Sequence, residues 1–234
     1  MIKTWQEELL NAARPDKIKI FMSFFKTGEG EYGEGDKFIG LSVPNNRKIA
    51  KKYFNCDLNI IDVMIKDEIH EFRLSGLLAL VEKFNKSKTE EEQHKIVNFY
   101  VARGTYANNW DLVDLTAPYI LGKHMLCHPN PTLLDTLSKS NNLWLQRIAI
   151  VSTLMLIRNN KFEDTIRLAK QYLSHDHQLI HKATGWMLRE IGKRDENILI
   201  DFIDKFALVM PRTTLRYAIE RLNPEIRSSI MHRK

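Results

Sequence analysis

The 234-residue chain contains only two cysteines, Cys56 and Cys127. A disulfide-stapled scaffold needs more of them in a shorter chain, so the expectation is a pair of reduced thiols. Long apolar runs are missing too: none approaches the roughly 18 residues that span a bilayer. The first residues, Met-Ile-Lys-Thr-Trp-Gln-Glu-Glu, hold no apolar signal core, and the expected location is the cytoplasm. Strand-like alternation of apolar and polar residues is scarce. No glycine-rich loop is followed by Gly-Lys-Ser/Thr, which sets aside a P-loop, and no serine sits in a nucleophile elbow.

What is present reads as a globular helical protein. Hydrophobic residues make up 44% and charged residues 27%, a balance that supports a packed core rather than disorder. Leu74, Leu77, Leu78 and Val81 follow a 3.6-residue period, as do Leu143, Arg147, Ile150, Val151 and Leu154. Pro15, Pro44, Pro118, Pro131, Pro211 and Pro224 each stand where a new periodic segment opens. Proline is tolerated there, because its missing N–H would have no helical partner in a first turn. Asn223-Pro224-Glu225 combines a cap, a preset φ and an acid near the positive helix end. About a dozen helices are expected, in one domain covering residues 1–234. The exception is residues 27–43, where five glycines and four acids predict a flexible loop.

The net charge of +6 is unevenly placed. Residues 1–141 carry 19 basic and 19 acidic side chains, whereas residues 142–234 carry 16 and 10. A basic part beside a neutral part suggests a polyanionic partner. Helical segments also echo one another: Glu71-Phe72-Arg73-Leu74-Ser75 resembles Leu145-Gln146-Arg147-Ile148-Ala149, which resembles Ile180-His181-Lys182-Ala183-Thr184. Arg73, Trp110, Arg147, Lys182 and Arg212 follow at intervals of 37, 37, 35 and 30 residues. Such a period fits stacked helix pairs, in which each pair covers its neighbour's apolar face. The equivalent positions would then form a row of cations and indole along one surface. Asp114 lies four residues after Trp110, and Trp186 four after Lys182, so each pair shares a helix face. Cations interleaved with aromatic rings suit nucleic acid.

Three segments carry a resemblance to a known family: Asn108-Asn109-Trp110-Asp111-Leu112-Val113-Asp114, Asn142-Leu143-Trp144-Leu145-Gln146-Arg147-Ile148-Ala149, and Ile180-His181-Lys182-Ala183-Thr184-Gly185-Trp186-Met187-Leu188-Arg189-Glu190. In content, order and separation they resemble the AlkD-type DNA alkylation repair glycosylases, over nearly the whole chain. The resemblance implies an all-α, right-handed solenoid of HEAT-like repeats with a concave basic groove. It implies a monomeric, monofunctional enzyme, cytoplasmic and nucleoid-associated, that excises N3- and N7-alkylated purines such as 3-methyladenine and 7-methylguanine from double-stranded DNA. No metal or organic cofactor is implied. Trp110 and Trp186 then look like the aromatic walls of the site, Asp114 like the catalytic carboxylate and Arg147 like the adjacent phosphate contact. Arg73, Lys182, Arg189 and Arg212 are the further DNA-binding candidates. Some relatives carry a second tryptophan where this chain has Asn109.

The chemistry suits these residue types. Alkylation makes the purine a cationic leaving group, and the sugar gains oxocarbenium character as the glycosidic bond breaks. An ionised carboxylate stabilises that cation and can take a proton from the attacking water. Indole faces attract cations and pack on sugar C–H groups. Other constellations are weaker. His124/His128 and His177/His181 are i, i+4 pairs that could bind zinc, but no convincing further ligands accompany them. Glu90-Glu91-Glu92 reads as a solvated first helical turn. The alternative to a glycosylase is a non-catalytic HEAT-repeat adaptor or damaged-DNA-binding protein.

Overall fold

The computed structural model describes residues 1–232. Among them are sixteen α-helices and no strand; an isolated bridge joins Lys37 to Ile69. The all-α expectation is met, and short helices such as Trp110–Asp114 account for the excess over a dozen. The chain divides into two compact units, Met1–Thr116 and Ala117–Lys234.

The first unit comprises α1 (Ile2–Asn11), α2 (Ile18–Phe24), α3 (Val43–Ala50), α4 (Leu58–Ile65), α5 (His70–Lys86), α6 (Glu90–Ala102) and α7 (Trp110–Asp114). Its centre is the 17-residue α5, against which α1, α3, α4, α6 and α7 all pack. Every residue of α5 from His70 to Val81 is buried, polar ones included. A helix covered on all sides needs no single apolar stripe. Leu74, Leu77, Leu78 and Val81 are core residues, as their spacing predicts. Trp5 of α1 is fully buried, stacks on Tyr53 at 4.6 Å and donates its indole N–H to Ser75 Oγ at 2.9 Å. The first turn of α6, Glu90–Glu92, is exposed, and Thr89 caps it by accepting from the Glu92 amide.

The glycine-rich segment differs from the flexible loop expected of it. Its second half is tied down by Glu71, whose buried carboxylate accepts from the amides of Ile39, Gly40 and Leu41 at 2.8–3.2 Å. The His70 amide donates to Lys37 O at 2.8 Å, and the Arg14 amide to Ile39 O at 3.1 Å. Gly40 has φ +80°, and a Cβ there would collide with the Arg14 carbonyl, so only glycine fits. The first half closes on itself: Gly28 and Gly30 amides donate to Glu31 and Glu34 at 2.9 Å. Composition signals flexibility here because it cannot show a carboxylate, about thirty residues away, that collects the amides.

The second unit opens with a π-turn at Pro118–Gly122. It continues through α8 (Lys123–Cys127), α9 (Pro131–Ser138), α10 (Leu143–Ser152), α11 (Leu154–Arg158), α12 (Glu163–Gln171), α13 (Gln178–Gly192), α14 (Glu196–Phe206), α15 (Arg212–Ala218) and α16 (Pro224–Met231). Side-chain caps explain several starts: Asn130, Asn142, Asp195 and Asn223 each accept from amides of the first turn. α13 is the hub, packing on α10, α14 and α15. A Cβ added at Gly185 would lie 2.5 Å from Tyr217 Cβ and 2.6 Å from Thr214 O, so α13 and α15 meet almost backbone to backbone.

Candidate active site

Trp110 and Asp114 are the first and last residues of α7, and both are partly exposed. Asn109 caps the helix by accepting from the Trp110 amide at 2.9 Å and is itself fully buried. Asn109 is therefore the group that starts α7. The Trp110 ring rests on two neighbours at the end of α2. Phe24 meets it edge-on at 5.5 Å, and Phe25 lies tilted beneath it at 5.4 Å. Phe24 is 60% exposed, so it and Trp110 together present aromatic surface. Under Asp114, Tyr100 is fully buried and hydrogen-bonded to Thr116 Oγ1 at 3.1 Å. Burial above all, with a contribution from the Asp114 charge, pushes its phenol well above the ordinary range.

Below this pair lies a buried ionic cluster that sequence reasoning missed. His70 is 1% exposed and donates from Nδ1 to Asp36 at 2.9 Å and from Nε2 to Asp111 at 3.0 Å. Its ring packs against both Phe25, at 4.9 Å, and Phe38, at 4.6 Å, and the two phenylalanines stack on each other at 5.2 Å. Burial alone would lower the imidazole pKa. The charge and hydrogen bond of Asp111, then those of Asp36, outweigh it, and the pKa is pushed up to about 9. Asp36 shows the reverse balance: burial raises its carboxyl, but His70 and Arg73 hold it below its usual value. Asp36 comes from the glycine-rich loop, His70 from α5 and Asp111 from α7. The cluster thus pins that loop to the helix bearing Trp110 and Asp114.

Arg73, expected to face DNA, belongs to this cluster. It is 4% exposed, its guanidinium is paired with Asp36, and Nη1 donates to the carbonyls of Asp67 and Glu68 at 2.9 and 3.0 Å. A phosphate contact there would strip a buried carboxylate of its partner, so Arg73 is a core ion-pair residue instead. The spacing that suggested it is real, but the all-round burial of α5 turns that position inward.

In the second unit, Arg147 of α10 is also nearly buried, 5% exposed, and Nη1 donates to Leu179 O at 2.5 Å in the first turn of α13. Trp186 lies half-buried on α13, its indole N–H donating to Glu190 at 3.2 Å. The same carboxylate accepts from Lys193 at 2.6 Å. Arg189 pairs with Glu220. Lys182 is half-buried and has no ion pair among the described residues. Arg212, at the start of α15, is exposed, with Nη2 donating to Met231 O at 3.1 Å. The expected row of equivalent cations is therefore mixed: Arg73 and Arg147 are buried, and Lys182 and Arg212 reach solvent. His177, at the N-cap of α13, has its pKa lowered, first by burial and then by the charges of His181 and Arg147. His124 and His128 stack at 4.7 Å.

The chain is a member of the DNA alkylation repair enzyme family, whose profile matches residues 5–222 and so runs through both units. Among solved structures, a predicted DNA alkylation repair enzyme from Enterococcus faecalis superposes with a TM-score of 0.70 at 17% identity. The match covers 91% of this chain and 97% of that one. At that identity the likeness bears on the fold. A search of curated protein sequences gives no match. No helix among the described residues is long and apolar enough to cross a membrane.

Proposed function

We propose that the protein is a DNA glycosylase that hydrolytically excises positively charged N3- and N7-alkylated purines from duplex DNA. The observation that carries this is α7: Trp110 and Asp114, four residues apart on a helix five residues long, are both partly exposed while Asp111 between them is buried and bound to His70. Membership of a DNA alkylation repair family supplies the partner, double-stranded DNA. Asp114 is the carboxylate that stabilises the developing oxocarbenium and guides water to it. Trp110, backed by Phe24 and Phe25, offers an aromatic face to the cationic nucleoside, and Trp186 is proposed as the second such face. Arg147 is proposed as a phosphate contact, with Lys182, Arg189 and Arg212 as further DNA contacts; Arg73 is withdrawn from that set. The proposal carries with it a single-domain HEAT-like solenoid with a concave basic groove, acting as a cytoplasmic, nucleoid-associated monomer without metal or organic cofactor.

The test is chromatography of bases released from methylated duplex DNA. Wild type releases 7-methylguanine or 3-methyladenine. Asp114→Asn lowers release by at least 100-fold and leaves DNA binding within a few-fold, as expected when a group acts only in the transition state. A wild-type protein that binds methylated DNA and releases no base is a damage-binding adaptor, and the proposal fails. Trapping of a borohydride adduct would refute the monofunctional step.

A further inference from the structure

The first unit contains a cleft of about 1000 Å³ that none of the proposed site residues lines. It lies among the chain before α4, the C-terminal end of α5 and the face of α6. That volume is at the upper end of what small-molecule sites occupy. Its apolar surface comes from Phe54, Leu58, Ile96 and Phe99. Five cations reach it, Lys83, Lys86, Lys88, Lys95 and Arg103, against two acids, Asp57 and Glu92.

The cations fall into two sets. Lys83 donates to the carbonyl of Cys56 at 3.0 Å, and Arg103 pairs with Asp62 at 2.8 Å while its guanidinium lies 4.1 Å from the Phe99 ring centre. These two are structural. The ammonium groups of Lys86, Lys88 and Lys95 are exposed and carry no ion pair or hydrogen bond among the described residues. Three uncompensated ammoniums at one cleft raise the local positive potential, and low-dielectric walls concentrate it. Glu92 Oε2 accepts from the Lys88 backbone amide at 2.7 Å, and Glu92 and Asp57 together offset only part of the five positive charges around the cleft.

We propose that this cleft binds a nucleoside phosphate. Its phosphate oxygens neutralise Lys86, Lys88 and Lys95. Its flat base lies against Phe54 and the stacked Arg103–Phe99 pair, where aromatic and guanidinium faces both favour a π-surface. The amides of Asn55 and Asn59 supply donors and acceptors for ring edges. A bare inorganic anion would leave the apolar wall unused, and an uncharged aromatic would leave the ammoniums uncompensated.

The probe is ADP, titrated calorimetrically into the full chain at low ionic strength, with inorganic phosphate and undamaged duplex DNA as comparators. The expected result is saturable ADP binding that tightens as salt falls. Lys86→Glu/Lys95→Glu is expected to weaken it by roughly tenfold or more, and Phe54→Ala by roughly fivefold or more. Both lysines are exposed, so the charge-reversal variant keeps the wild-type circular dichroism and melting profile. Absent ADP binding, or binding indifferent to both variants, overturns the proposal. Inorganic phosphate that binds as tightly as ADP overturns the nucleoside half of it. Displacement of ADP by duplex DNA would make the cleft part of a DNA surface and overturn a separate site. Base release from methylated DNA is measured in parallel; its loss in wild type strikes at the glycosylase proposal and leaves this one standing.

Discussion

Replacing His70 by leucine should remove the pin between the glycine-rich loop and α7, and pH gives the effect a distinctive shape. His70 is charged between Asp36 and Asp111, and its pKa rises from 6.5 to about 9 on folding. At about 1.4 kcal/mol per pKa unit, the imidazolium contributes up to about 3 kcal/mol to the folded state. A folded-state pKa above the unfolded one means that this contribution is complete below about pH 6.5. It is then lost progressively as pH rises through about 9. Asp36 does not blur the window, because its lowered pKa matters only in acid. Tyr53, raised to about 12, ionises above it. The Cys56 thiol is raised by burial in both proteins, so its contribution cancels in the difference. Leucine would leave two buried carboxylates with one cation, Arg73, so the loss near neutrality is of order 3–5 kcal/mol. Urea unfolding across about pH 6 to pH 10, followed by tryptophan fluorescence, reads both numbers. Wild type should lose about 3 kcal/mol over that range relative to His70→Leu. Parallel stability curves for the two proteins would show that no charged His70 bridges these acids.

Other substitutions probe separate features. Glu71→Ala removes the acceptor of three loop amides and should cost about 3 kcal/mol or more; hydrogen exchange at Ile39, Gly40 and Leu41 would rise well before global unfolding, and unchanged protection there would contradict the anchoring. Gly185→Ala should destabilise by about 1–3 kcal/mol through overpacking against Tyr217 and Thr214, seen as a lower urea midpoint with an unchanged slope. Asn109→Trp should cost about 1–2 kcal/mol from loss of the α7 cap alone; a variant as stable as wild type would mean that the cap contributes nothing.

Helices were legible wherever a local rule sets them. The 3.6-residue period of Leu74, Leu77, Leu78 and Val81 predicts the core face of α5, and five of the six prolines singled out fall in the first turn of a helical element, with Pro211 at a cap. The spacing of Trp110 and Asp114 likewise placed both on one helix, because four residues are about one turn. What escaped was long-range. His70 meets Asp36 and Asp111 across 34 and 41 residues, and no periodicity encodes such a meeting. Asp111 stands between Trp110 and Asp114 in the sequence, and nothing local marks it as a partner of His70. Arg73 was misplaced for the same reason: its period matched its neighbours in the row, and only tertiary burial distinguishes an inward guanidinium from an outward one.

The Glu71 carboxylate splits the glycine-rich segment into two parts that should age differently. Residues 36–41 are registered against a fixed point, so a single insertion there would misalign three amides and displace Asp36 from His70. The turn at residues 28–31 is exposed, and its side-chain bonds run to neighbours within residues 26–34. That makes it the natural place to graft a peptide epitope or a reporter dye without disturbing the helices beneath.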